Sequence, residues 1–529
     1  MMPFTRQNHF RRWLIAGGCA LQLAGGARCQ ADWLNVKYWN PARPQLEAVG
    51  DGVHNDAPAI QSAIRSLPHG GTLFFPAGQY RLQATGPTPW DSSGIRTALL
   101  ITHGGFTFAG EGMNRTTLIQ ASDRASLIYG FFRTAQSGFC VCDLKLQADV
   151  TSPGPFDRSR LPFGGVVSVD GSGGRVSGVC FSHVATDDLG KQPMIFMKGV
   201  AEVQIDHCQF NSFVHATAGS AVGPGCAHVF LGGDAGSRVV VTDNDFNGDA
   251  VNPPDEASAN LIGEDGMIWV QGGESAIFTG NRIRNFRLEA INCGSRHQVI
   301  TGNRFLTGKT GGSIAIRDSL YAGTNFQVLV AHNTQQGGST FFDFAGAQAG
   351  PAEVTITDNQ CQFGNPARGI AGNPAVCVGN ARPQCRAGRA VLRDNSFDNA
   401  GDMGFVLSGS GSDDSVLLLE DNRLTHLAAV GSGLGVHIDG FRNVTVADNT
   451  LSGGDNGNLL VWGRPFTTQV WGQLHIANNR YFNRANQPGY WVRLQTTRTN
   501  TPFNFWTGSG IVRGSTNVGG YHVVYSLRP

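Results

Sequence analysis

Asp265 and Glu289 stand 24 residues apart in a chain of 529, with Lys198, Trp269, Gln271, Arg317 and Asp343 on either side of them. Two carboxyl groups are the minimum equipment for breaking a glycosidic bond. One protonates the leaving oxygen, and the other attacks the sugar carbon or activates water. Their separation sets the stereochemistry, ~5 Å for retention and ~6.5–9.5 Å for inversion. Glu264, Asp234, Asp255 and Glu256 are reserve acids in the same region. Trp269 offers a flat apolar face with one polar N–H, a natural surface for a sugar ring. Elimination from a uronate would need a different set: a base drawn from Lys198, Arg317, Arg287 or His228, plus neutralisation of the sugar carboxylate.

Whether these residues meet depends on what holds them, and the chain repeats itself around them. "AIFTGNRIRNF" (276–286) is followed 22 residues later by "QVITGNRFLTG" (298–308). The phrase recurs around Asn244, Asn281, Asn303, Asn333, Asn359, Asn395, Asn422, Asn449 and Asn479, at gaps of 37, 22, 30, 26, 36, 27, 27 and 30. His207, His183 and Asp143 extend the series upstream. A floor of 22 with variable excess describes a fixed coil carrying loops of changing length. Each lap holds a second short apolar strand ending at Gly, such as "MIWVQGG", and alternation within it is period two. Such strands cannot bury themselves alone but can when laps stack. An Asn at one corner of every lap both donates and accepts, so stacked copies can bond from coil to coil. The reading is an all-β, single-stranded, right-handed parallel β-helix of about twelve coils. Aligning the second strands on their terminal Gly places Lys198, Leu231, Gln271, Cys293 and Arg317 in one outward column. Phe196, Val229, Trp269, Ile291 and Asp343 fall in another. Neighbouring coils are ~4.8 Å apart, so Asp265 and Glu289, one lap apart, become the expected catalytic pair. Lys198, Trp269, Gln271, Arg317 and Asp343 are expected to bind substrate.

"GDGVHNDAPAIQSAI" (50–64), "GGTLFFPAGQYRL" (70–82) and "FAGEGMNRTTLI" (108–119) resemble the opening of the pectin-lyase-like superfamily, in its pectate-lyase-3 branch. That resemblance covers about 70 residues. It implies a β-helix and activity on, or binding to, polysaccharides, as in tailspikes, epimerases and degrading enzymes. Asn55 or Asp56 is placed to cap a helix whose Ile60, Ala63, Ile64 and Leu67 can close the end of the solenoid. The resemblance does not transfer catalytic residues. The polygalacturonase branch carries Asn-Thr-Asp, Asp-Asp, Gly-His-Gly and Arg-Ile-Lys on successive coils. This chain has Asp187–Asp188, read as a turn, and "RIR" at 282–284, with no Gly-His-Gly. An acidic calcium trio on adjacent coils is not evident, so neither metal nor cofactor is expected.

Composition narrows the class further. With 40 basic and 39 acidic residues and no basic stripe, nucleic acid is a poor partner. Charged residues make up 15% and there are 72 glycines, a turn-rich β composition. Arg6, Arg11 and Arg12 before "WLIAGGCALQLAGGA" (13–27) read as an export signal over 1–31, leaving a protein without a membrane span. The expected divisions are therefore 1–31, a β-helix over 32–481 with its N-terminal cap at about 50–82, and a C-terminal cap over 482–529. Among the cysteines, Cys377 and Cys385, near Cys361, are the nearest in sequence to pairing in an oxidising compartment. The expectation is an exported, periplasmic or secreted enzyme, monomeric or trimeric, that cleaves a polysaccharide in a lateral groove by hydrolysis or glycosyl transfer. A uronate lyase and a non-catalytic glycan-binding module are the rivals.

Overall fold

The structure, a computed structural model, describes residues 33–528 apart from 40–41, 44–45, 85–95, 122–124, 149–165, 172–174, 189–193, 213–226, 249–263, 307–311, 317–325, 339, 345–351, 364–373, 380–386, 399–402, 411, 413, 426–433, 453–456, 464–472, 483–491, 497–502, 506–511 and 519–520. The expected export segment lies outside the described residues.

Ser275–Thr279 pairs in parallel with His297–Thr301, that strand with Gln327–Ala331, and that with Ala352–Thr357. The short strand Arg282–Arg284 pairs in the same way with Arg304–Leu306, and Phe286–Cys293 with Gly312–Ile316. Three strands make one coil, and each finds its partner one lap later. Repeated through the described residues, this gives 42 strands in one connected sheet system and a right-handed parallel β-helix. Val, Ile, Leu and Phe fill the interior because every second strand residue turns inward and stacks on its equivalent. Phe210 and Phe246, on adjacent coils, lie 4.5 Å apart with their rings only 2° from parallel.

The asparagines form an internal ladder. Asn281 donates from its backbone N–H and its Nδ2 to Oδ1 of Asn303, at 3.0 and 2.9 Å, while Nδ2 also donates to the Val241 carbonyl at 2.8 Å. Amide-to-amide bonds of 2.9–3.0 Å continue this from Asn244 through to Asn479. Upstream the order differs from the sequence reading. Cys208, not His207, occupies the inward position, its N–H donating to Oδ1 of Asn244 at 2.8 Å. His207, His183 and Asp143 sit at the preceding corner, with φ of 53°, 52° and 53°, where Asp243, Asp358 and Asp394 stand on other coils. That corner needs a left-handed backbone, which Gly, Asp, Asn and His tolerate best. Gly280 and Gly302, in the twin "TGN" phrases, fill it with φ of 68° and 65°.

Helix Ala57–Ser66 closes the N-terminal end, burying Ile60, Ala63 and Ile64, with Leu67 just beyond it. Asp56 holds the N-cap position, while Asn55 just before it accepts at Oδ1 from Ala57 N–H at 3.2 Å and Gln83 N–H at 3.0 Å. Asp56 makes no such bond. Its carboxylate accepts from Val49 and Gly50 N–H at 2.7 and 3.1 Å, tying down the chain that enters the helix. Burial raises its pKa, against the pull of those two bonds. Asp187 is a strand residue, contrary to the turn expected of Asp187–Asp188. It is ion-paired with Lys145 of the adjacent coil and accepts from Asn211 Nδ2 at 3.1 Å. Beyond Phe482, Val492–Thr496 and Tyr521–Arg528 still pair in parallel with Gly457–Gly463 and Gln473–Phe482, but each also takes an antiparallel partner, Phe503–Phe505 and Val512–Val518 respectively.

Candidate active site

Register, not sequence spacing, decides which side chains share the lateral face. Ser168, Phe196, Phe230, Trp269, Asn292, Ala315, Asp343 and Cys377 are successive partners across eight coils. The alignment on terminal glycines fails at two of them. Val229, Leu231, Ile291 and Cys293 are core residues, at most 2% exposed. Gly232, not Leu231, is the partner of both Lys198 and Gln271. In "INCG" the two inward residues are Ile291 and Cys293, so Asn292 takes the outward place assigned to Ile291. The apolar residues on both sides of Asn292 were the available signal; the glycine anchor hid it.

Glu289 also departs from the expected pairing. Its partner on the preceding coil is Gly266, and the pairing shifts by one residue between Glu264, opposite Phe286, and Gly266. Asp265 therefore does not stand opposite Glu289: the lap is 22 residues at Glu264 and 23 at Gly266, short of the 24 that separate the two acids. The side chains of Asp265 and Glu264 lie outside those described. On the following coil Glu289 faces Gly312. Glycine therefore occupies the register position beside Glu289 on both neighbouring coils. Ala290 and Ile291 both point into the core and are fully buried. This double inward step brings Glu289 and Asn292 to the same side, where Asn292 Nδ2 donates to Glu289 Oε2 at 2.7 Å.

Trp269 is half-buried beside Asn292, and its ring centroid lies 5.9 Å from that of Phe230, tilted by 53°. Phe230 in turn stacks on Phe196 at 5.2 Å. Among the described residues, Trp269 Nε1 and Asn292 Oδ1 are buried without a hydrogen-bond partner. One is a donor and the other an acceptor, on neighbouring coils, and each is costly to leave unmade. Asp343 lies two coils beyond Asn292, half-buried, with Ala315 between. Gln271, half-buried, follows Trp269 on the same strand. Lys198 lies two coils below Trp269 with its ammonium 5.5 Å from the Phe196 ring centroid. Arg317, Asp255 and Glu256 are outside the described residues, as are the side chains of Arg287 and Asp234.

His228 is not a candidate base. It is 1% exposed, and its ring lies 6.3 and 6.2 Å from those of Phe210 and Phe246. Burial alone lowers its pKa to about 3, so it is neutral at physiological pH and out of reach of a substrate. Among the described residues no group of three or more His, Cys, Asp or Glu side chains is arranged to hold a metal ion.

Residues 45–142 match the family model described as rhamnogalacturonase A/epimerase, pectate lyase-like. Mannuronan C5-epimerase AlgE1 of Azotobacter vinelandii is 38% identical over 110 residues, 19% of this chain and 7% of the epimerase. The match thus spans a small fraction of that relative's length. Among solved structures, PfbA, a surface adhesin of Streptococcus pneumoniae, covers 94% of this chain and 100% of its own, at 14% identity and a TM-score of 0.49. The tailspike of E. coli bacteriophage HK620, solved with a pentasaccharide, covers 87% of this chain and 80% of its own, at 12% identity and a TM-score of 0.48. Residues 45–142 thus carry the pectate-lyase-like pattern on the first coils of a right-handed parallel β-helix that continues through the described chain.

Proposed function

We propose that this protein is an exported enzyme that hydrolyses a polysaccharide lying along the column Phe230–Trp269–Asn292–Ala315–Asp343, with Glu289 and Asp343 as its carboxyl pair. The observation that carries the reading is the Asn292–Glu289 hydrogen bond, which draws the Glu289 carboxylate over the same column as Asp343. Two coil spacings then separate the acids, ~9–10 Å, at the upper end of the ~6.5–9.5 Å used for inversion. Gly312 and Ala315, on the coil between, add no bulk beyond Cβ. Asp265 remains the alternative partner for Glu289, one coil away, which would suit retention instead.

A second reading rests on the family match over residues 45–142: proton abstraction from a uronate, leading to elimination or epimerisation. The purified protein is offered a panel of neutral and uronate-containing polysaccharides. New reducing ends without ultraviolet absorbance support hydrolysis. Absorbance of an unsaturated uronate supports a lyase, and solvent deuterium entering the sugar without chain cleavage supports an epimerase. Under hydrolysis, Glu289→Gln and Asp343→Asn each lower turnover ~10²–10⁴-fold. Full activity in both would rule out this pair.

A further inference from the structure

Away from that face, Cys140 and Cys180 oppose one another on adjacent coils. Strands Gln136–Ala148 and Val176–Asp188 pair in parallel with Cys140 and Cys180 in register. Their neighbours Phe139, Val141, Val179 and Phe181 are buried, so alternation turns both cysteines outward, where each is half-exposed. In-register neighbours of a parallel sheet have Cα atoms ~4.8 Å apart, within the ~4.4–6.8 Å that a disulfide spans. The Cys180 thiol donates to the Cys140 sulfur, and this bond lowers the Cys140 pKa while raising that of Cys180.

The other described cysteines lack this arrangement. Cys142 follows on the same strand but faces Ser182, and burial pushes its thiol up to about 11. Cys208, Cys293, Cys361 and Cys377 are buried. Cys293 is in register with Val270, Cys361 with Gln335 and Phe397, and Cys377 with Asp343 and Val406. Cys385, the partner suggested for Cys377 by sequence proximity, lies outside the described residues, and Cys377 Sγ donates to the Gly379 carbonyl at 3.1 Å.

We propose that Cys140 and Cys180 form a reversible disulfide that ties two adjacent coils together, made by exchange with an external disulfide. The Cys140 thiolate attacks one sulfur of the oxidant, forming a mixed disulfide and expelling one thiolate. Cys180, losing its proton to solvent, then attacks the Cys140 sulfur and expels the second. The oxidant gains two electrons and the pair loses two hydrogens. The crosslink closes a loop across residues 140–180, restricting the unfolded chain and so raising stability.

The full chain, purified with reductant and then freed of it, is incubated with oxidised glutathione. It is then unfolded in acid, alkylated and mapped by mass spectrometry. The expected product joins the peptides carrying Cys140 and Cys180, two hydrogens lighter, with Cys142 alkylated. Its melting temperature exceeds that of the reduced protein by several degrees. Cys142→Ser keeps both the crosslink and the shift, whereas Cys140→Ser and Cys180→Ser lose them. Full alkylation of Cys140 and Cys180 after oxidation, a lasting glutathione adduct on either, or a bond to Cys142 would overturn the proposal. Mapping of the unsubstituted chain decides this even where a variant folds poorly.

Discussion

Asn292 donates from Nδ2 to Oε2 of Glu289 at 2.7 Å, across two residues that both point into the core. The carboxylate of Glu289, within strand Phe286–Cys293, is thereby held beside the column that also carries Trp269 and Asp343. Fixing a reacting group in this way is how a rigid scaffold lowers a barrier, because the orientation is set before substrate arrives.

Asn292→Ala should therefore cut turnover ~10-fold or more while removing one hydrogen bond, worth about 1 kcal/mol of stability. Steady-state kinetics beside urea unfolding separates the two effects. Equal turnover in the variant would show that the bond positions nothing of consequence.

Trp269→Phe keeps an aromatic face and deletes the buried indole N–H. Because that donor has no partner among the described residues, its loss should leave the melting temperature unchanged or slightly higher. KM should stay within about twofold, because the ring face is kept and the buried Nε1 is not presented to a ligand. Trp269→Ala should raise KM by removing the platform. An unaltered KM in Trp269→Ala would place the substrate elsewhere.

The buried His228 makes stability fall with acidity. Its folded pKa of about 3 lies below the unfolded value of ~6.5. Below pH ~6.5 the unfolded chain takes up a proton that the folded chain refuses. Stability conferred by the neutral ring is thus complete above that pH and declines as the pH falls toward 3, by up to roughly 5 kcal/mol. His228→Leu should flatten this part of the curve. Urea unfolding of both proteins between pH 7 and 4 tests it: parallel curves would mean the ring is protonated when folded.

Asn333 sits in the middle of the asparagine ladder, accepting from Asn303 and donating to Asn359 and to the Ile300 carbonyl. Asn333→Leu strips partners from both neighbours in a buried interior and should cost about 3 kcal/mol or more. Asn479→Leu, at the end of the series, should cost less. Equal losses at the two positions would show that the ladder does not act cooperatively.

The coil was legible in the sequence because its cause is local and repeated. An inward apolar residue at every second position, a left-handed corner filled by Gly, Asp or His, and an Asn just after it can be read without knowing any neighbour. The helical cap was legible for the same reason, although the two expected roles are split: Asp56 holds the N-cap position and Asn55 supplies the side-chain bond to Ala57 N–H. The face was less legible. Trp269, Gln271, Glu289 and Asp343 were singled out, but Asn292 was missed and Asp265 was placed opposite Glu289. Each departure is one residue: the glycine anchor put Ile291 where Asn292 stands, and the 24 residues from Asp265 to Glu289 exceed the local lap of 23 by one. In a strand, one residue exchanges inside for outside.

The sequence by itself determined that stacked coils form and which asparagines bind them through the interior, since these follow from a periodicity written into every lap. Only the tertiary structure decided which outward side chains are neighbours. That depends on where each strand slips or bulges against the coil below, and the slip is set by packing between segments a lap apart rather than by the residues of either one.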